Sequence, residues 1–170
     1  TTPTPMYQAQ TGQDRLVEPW LGFKNGVYVE FGARNGVEHS NTHLFEKKYN
    51  WSGVLVEPDA REHPNRRRNR PNAKVDTGGV VCPVGVKEVE FAINKWGGWS
   101  GIKNKYDDAR WTSTITKVEK KLCVDLNEIA PARVDYMTVD TEGSEFDILR
   151  TFDFDKHDVG IIQVERNMKT

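Results

Sequence analysis

The sequence predicts an α/β domain built on a mostly parallel sheet flanked by helices. Two observations carry this. Short apolar segments bounded by glycine, proline or acidic residues alternate with segments of helical spacing. Several of those apolar segments also end in a carboxylate or a glycine, as strands do where a sheet presents its C-terminal edge to a ligand. With 170 residues the chain suits one domain with a real core, and 36% hydrophobic with 29% charged residues describes a globular chain, not a disordered one.

Residues 1–12 are polar and rich in Pro and Thr, so a loose arm is expected there, with one domain over 13–170. The first firm element is Gly26-Val27-Tyr28-Val29-Glu30-Phe31-Gly32, a strand running into glycine. From about Asn41 to Tyr49, Leu44, Phe45, Lys48 and Tyr49 fall three and four apart and predict a helix. Gly53-Val54-Leu55-Val56-Glu57-Pro58 is the second strand, stopped by proline. The polar stretch from Asp59 to Arg70 predicts one short helix with Pro64 in its first turn.

Lys74–Cys82 and Val86–Asn94 read as extended pieces, and Ile115–Val124 as another. The Trp96-Gly97-Gly98-Trp99-Ser100-Gly101 stretch has no period and is a loop, whose two indoles either line a pocket or fold over the core. Val134–Asp140 is a strand ending in a carboxylate. Ser144 is placed to cap a helix with Phe146, Leu149 and Phe152 on its inner side, and Gly160–Glu165 is a last apolar strand.

A net charge of −1 gives no field to draw nucleic acid or an anionic surface, and no apolar run approaches the ~20 residues of a membrane span. Arg66-Arg67-Arg68 with Arg70 lacks the flanking aromatics of a nucleic-acid patch and reads as a solvated helix face. Thr1-Thr2-Pro3-Thr4-Pro5 lacks the features of a secretory signal, so a cytoplasmic protein is expected. Cys82 and Cys123 form no zinc pattern and are expected to be reduced, partly buried thiols.

Three strand ends carry the chemistry. Glu30-Phe31-Gly32-Ala33-Arg34-Asn35-Gly36 sets a carboxylate before a tight glycine turn, Glu57 closes the second strand, and Asp140 closes another ahead of Thr141-Glu142-Gly143. Gly32 and Gly36 allow close approach of backbone to a ligand. Glu57 is placed to accept both hydroxyls of a ribose. Glu30 is suited to face an ammonium group. Together they fit a ligand with adenine, ribose and a zwitterionic methionine end. Each feature also has a plain structural reading, as a turn or a helix-capping carboxylate. A dinucleotide dehydrogenase is disfavoured, because Gly32-Ala33-Arg34-Asn35-Gly36 has one glycine too few for G-x-G-x-x-G and puts Arg34 where close approach of a pyrophosphate needs a small residue.

In these motifs the chain resembles FkbM-type methyltransferases. The matching pieces are the acidic-x-Gly-Ala turn, Ser40-Asn41-Thr42 with Phe45-Glu46, and Trp51-x-Gly53 leading into Val54–Pro58. Gln10-Thr11-Gly12-Gln13-Asp14, Asn69-Arg70-Pro71-Asn72, Asp140–Glu145 and Val164-Glu165-Arg166-Asn167 complete the set. The resemblance implies a Rossmann-like, class I methyltransferase fold with S-adenosylmethionine as donor, and O-methylation of a small molecule, sugar or lipid-like acceptor. By position it places Glu30, Gly32, Ala33 and Gly36 at the methionine end, Asn41 beside them and Glu57 on the ribose. Asp140 and Glu142 would flank the sulfonium and the acceptor, Asp140 as candidate base with His39 and His43 behind.

Two carboxylates are too few to expect a metal. The chain stops where the family continues into a final strand pair, which leaves a sheet edge open for self-association. It also admits the alternative of a catalytically silent domain of this fold that binds a ligand or partner. Arg34 is bulky for its turn.

Overall fold

The computed structural model describes residues 6–105 and 112–165. The fold is α/β. Helix α1 (Gln13–Leu21) precedes β1 (Val27–Phe31), and α2 (His43–Tyr49) connects β1 to β2 (Ser52–Val56). A 3-10 turn (Ala60–Glu62) and α3 (His63–Asn69), with proline in its first turn, lead into β3 (Ala73–Thr77). β4 (Val80–Cys82), β5 (Glu88–Asn94), β6 (Gly101–Ile102) and β7 (Ile115–Asp125) follow. The chain then forms α4 (Leu126–Ile129), β8 (Arg133–Val139), α5 (Glu145–Leu149) and β9 (Asp158–Val164).

The main sheet is wholly parallel, in the order β3-β2-β1-β8-β9. Strand order reverses between β1 and β8, which pair through Tyr28↔Tyr136, Val29↔Met137 and Glu30↔Thr138. Its three inner strands, β2, β1 and β8, are buried on both faces, as their apolar runs require. Val29, Phe31, Val54, Val56, Met137 and Val139 face a core shared with Leu126, Ile148 and Phe152. Tyr28, Leu55 and Tyr136 face the opposite side, covered by Val17 and Leu21 of α1 and by Leu44, Phe45 and Trp51.

The α1 helix escapes a periodicity reading. Val17 and Leu21 form its buried stripe, but Pro19 lies inside it and Leu16 and Trp20 are exposed. The arm expected to be loose is tied from Tyr7 onward. The Asp14 carboxylate accepts the Gln8 and Ala9 amides at 2.7 and 3.1 Å, and Ala9 bridges to His39.

A second, four-stranded sheet, β4-β7-β5-β6, stands beside the first. β7 is parallel to β4 and antiparallel to β5. It carries the first correction. Cys82 and Cys123 are joined as a disulfide across neighbouring strands, not held as reduced thiols, because the β4–β7 pairing brings their Cα atoms to 5.6 Å.

The arginine run is the second correction. Arg67 is exposed, but Arg66 and Arg70 are each 1% exposed. Arg66 pairs with Asp76 of β3, and Arg70 pairs with Glu46 at 2.8 Å and Glu30 at 3.3 Å. The third concerns α5. Ser144 makes no capping hydrogen bond, and Phe146 points outward while Ile148 and Phe152 fill the core.

Candidate active site

The C-terminal ends of β1, β2, β8 and β9 open into one cleft of about 550 Å³, roofed by residues 96–100 of the second sheet. It lies where strand order reverses, the place at which sheets of this kind bind ligands.

At the end of β1, Gly32 has φ 70°, and a Cβ there would meet the Asp140 carbonyl at 2.8 Å. Glycine therefore lets the ends of β1 and β8 abut. Gly32 lines the cleft; Ala33 and Gly36 do not. Gly36 serves the fold instead: its missing Cβ would sit 2.5 Å from the Arg70 side chain, and its carbonyl accepts Arg70 Nη1 at 3.2 Å.

Glu30 departs from the expected contact with an ammonium group. It is 1% exposed and does not line the cleft. Its oxygens accept the Asn41 amide at 2.7 Å, Ser40 Oγ at 2.9 Å and Thr42 Oγ1 at 2.6 Å. The carboxylate is thus consumed in fixing residues 40–42, which set Asn41 in the cleft wall. Asn41 is 8% exposed, and its Oδ1 has no hydrogen-bond partner among the described residues.

Glu57, at the end of β2, lines the cleft and accepts the amides of Arg34 at 2.9 Å and Asp59 at 2.8 Å. Each oxygen keeps a lone pair for a further donor. Burial pushes its carboxyl above the ordinary range, against the pull of those two amides and of Arg66.

Asp140 and Glu142 both line the cleft, and a third carboxylate joins them from the end of β9, Glu165. An oxygen of each lies within 4.8 Å of the others, so this is the group among the described residues that is able to hold a cation. Burial, followed by Glu165, Glu142 and Glu145, pushes Asp140 up to about 9. Glu145 shapes the turn that carries Glu142, its Oε1 accepting the Thr141 and Gly143 amides at 2.9 and 3.0 Å. Glu165 carries the same signature as Asp140, an acid closing an apolar strand, and could have been found on that ground. Arg166 and Asn167 of the same motif lie outside the described residues.

His39 lines the cleft, but His43 does not. Burial is the main cause that pushes His43 down to about 4, with Arg70 and Lys47 adding to it. Trp96 and Trp99 line the cleft, which decides between the two readings of their loop. Gln10 and Gln13, on either side of the turn into α1, complete the rim.

The family model for the methyltransferase FkbM domain matches residues 30–170. No curated protein and no solved structure matches the chain.

Proposed function

Because the chain belongs to the FkbM methyltransferase domain family, we propose that it transfers a methyl group from S-adenosylmethionine to a hydroxyl oxygen of a small-molecule, sugar or lipid-like acceptor. The observation that carries this reading is the meeting of Gly32, Glu57 and Asp140, from three adjacent strand ends, in one cleft at the strand-order reversal. The residues present suit the cofactor. Glu57 has acceptor capacity for two ribose hydroxyls beyond its two backbone donors. Asn41 offers an amide oxygen with no other partner among the described residues, and Gly32 leaves the backbone bare for close approach. Ala33 and Gly36 act one layer back, shaping that turn.

When bound, the cofactor supplies an electrophilic methyl group on a sulfonium. The chain contributes alignment above all, since holding two reactants in line can supply a large part of the acceleration. The partly buried carboxylates of Asp140, Glu142 and Glu165 stand together at the strand ends, so that one of them accepts the hydroxyl proton. Trp96 and Trp99 exclude water from above. The Cys82–Cys123 bridge favours an oxidising compartment over the cytoplasm.

The test is calorimetric titration of the full chain with S-adenosylhomocysteine, repeated on Glu57→Gln. Binding is expected in the wild type, and the variant should bind roughly ten- to a hundredfold more weakly, the effect of one lost charged hydrogen bond. A folded wild type that binds none of it sinks the reading.

A further inference from the structure

Arg34 is the only arginine or lysine among the described residues that line the cleft. Its main chain is pinned on both sides: the amide donates to Glu57, and the carbonyl accepts from Arg66 Nη1 at 3.4 Å. The residue is held at φ 45°, in the left-handed region that glycine adopts with less strain. The side chain nevertheless runs into the cleft beneath the tryptophan loop. A Cβ added at Gly97 would meet Arg34 Nη2 at 4.0 Å, and one added at Gly98 would meet Arg34 Nε at 3.6 Å, so the side chain lies close beneath this loop.

A guanidinium carries five N–H donors. Here Nη1 meets His39 Nδ1 at 3.2 Å, and Nε is buried without a partner among the described residues. Glu38 stands 3.6 Å from Nη2, beyond hydrogen-bond reach, and is more than half exposed, so solvent screens that pair. A buried donor left unmade is costly, and the group that satisfies a planar fork best is an anion. Trp96 and Trp99 line the cleft with it, and aromatic rings of this kind pack on the C–H side of a sugar ring. Gln10 and Gln13 offer amides that bond hydroxyls in either sense. The Asp140, Glu142 and Glu165 group repels an anion, so a charged acceptor is driven to the arginine.

We propose that Arg34, together with Trp96 and Trp99, selects an anionic saccharide as acceptor, turning its charged group toward the guanidinium and a hydroxyl toward Asp140. This rests on the methyltransferase reading for what happens to that hydroxyl, but the binding itself is measurable without turnover.

Affinities of the full chain for D-glucuronate, D-glucose 6-phosphate and D-glucose would be measured by calorimetry or ligand-observed NMR, with and without S-adenosylhomocysteine. At least one of the two anions should bind roughly tenfold or more tightly than glucose, and added salt should erode the difference. Which of them gains identifies carboxylate or phosphate as the recognised group. Arg34→Gln should abolish the preference while leaving affinity for S-adenosylhomocysteine within about threefold; a melting curve confirms that the variant folds. Equal binding of the three sugars, or a preference that survives in Arg34→Gln, overturns the proposal. So does loss of S-adenosylhomocysteine binding in Arg34→Gln alone, since the arginine would then serve the cofactor. Failure of the wild type to bind S-adenosylhomocysteine refutes the methyltransferase reading instead, and the sugar preference is then judged on the chain without it.

Discussion

Replacing Arg70 by lysine tests how the cleft wall is held. The guanidinium donates through Nε to Glu46 at 2.8 Å, and through Nη1 to Gly36 O at 3.2 Å, Ser40 Oγ at 3.0 Å and Glu30 at 3.3 Å. Through Nη2 it donates to Thr42 Oγ1 at 2.8 Å, and it lies over the Tyr28 ring. A lysine keeps the charge but gathers its donors on one nitrogen, so it cannot reach Glu46 and Thr42 while also serving Gly36 and Ser40. Two or more charged hydrogen bonds are lost in a fully buried place, at roughly 1.5–3 kcal/mol each. The expected loss is therefore about 3–5 kcal/mol, the range for a broken buried pair. In a chain of this size that lowers the melting temperature by roughly 10 °C. Urea unfolding followed by circular dichroism gives the free energy, and an unchanged slope with urea keeps the comparison valid. The same variant should bind S-adenosylhomocysteine more weakly, because Asn41 sits on the segment that Glu30 and Arg70 fix together. A loss below about 1 kcal/mol would refute the argument, since it would mean that the network is solvated or redundant.

Two other perturbations have calculable outcomes. Reduction of the Cys82–Cys123 bridge, or its replacement by two serines, opens a closure over 41 residues of sequence and should cost about 4 kcal/mol in the chain-entropy account; identical melting with and without reductant would contradict it. His43, held near 4 in the folded chain against an ordinary 6.5, stays neutral while the unfolded chain takes up a proton. Stability should therefore be complete above about pH 7 and fall by about 2–3 kcal/mol by pH 4.5 through this group. The slope should flatten in His43→Gln, and an unaltered acid limb would remove His43 from the account.

The frame of the main sheet is legible because its inner strands are apolar on both faces and stop at recognisable places: Gly32 after Phe31, Pro58 after Glu57, Asp140 after Val139. Helix α2 is legible through Leu44 and Phe45, and the segment before β3 through Pro64. What stays hidden depends on partners far away in the chain. Arg66 and Arg70 look like surface charge until folding brings Asp76, Glu30 and Glu46 against them. Glu30 looks like a ligand contact until Ser40, Asn41 and Thr42 close over it. The cysteines give no clue to their pairing, because β4 and β7 meet only through a sheet whose longest strand, β7, alternates charged residues with few apolar ones. Glu57 and Asp140, in contrast, end up where strand-end logic puts them, since that logic depends on local order alone.

The cystine has a mechanical consequence as well. Val80 and Val81, next to Cys82, form part of the cleft wall, and the tryptophan loop is carried by β5, which is bound along its length to β7. The bridge from Cys82 to Cys123 therefore welds wall and roof into one stiff bracket. A ligand cannot enter by prising these two apart. Gln10, Gln13 and His39 line the same cleft from segments joined to the frame by the Ala9–His39 bridge and the Asp14 bonds.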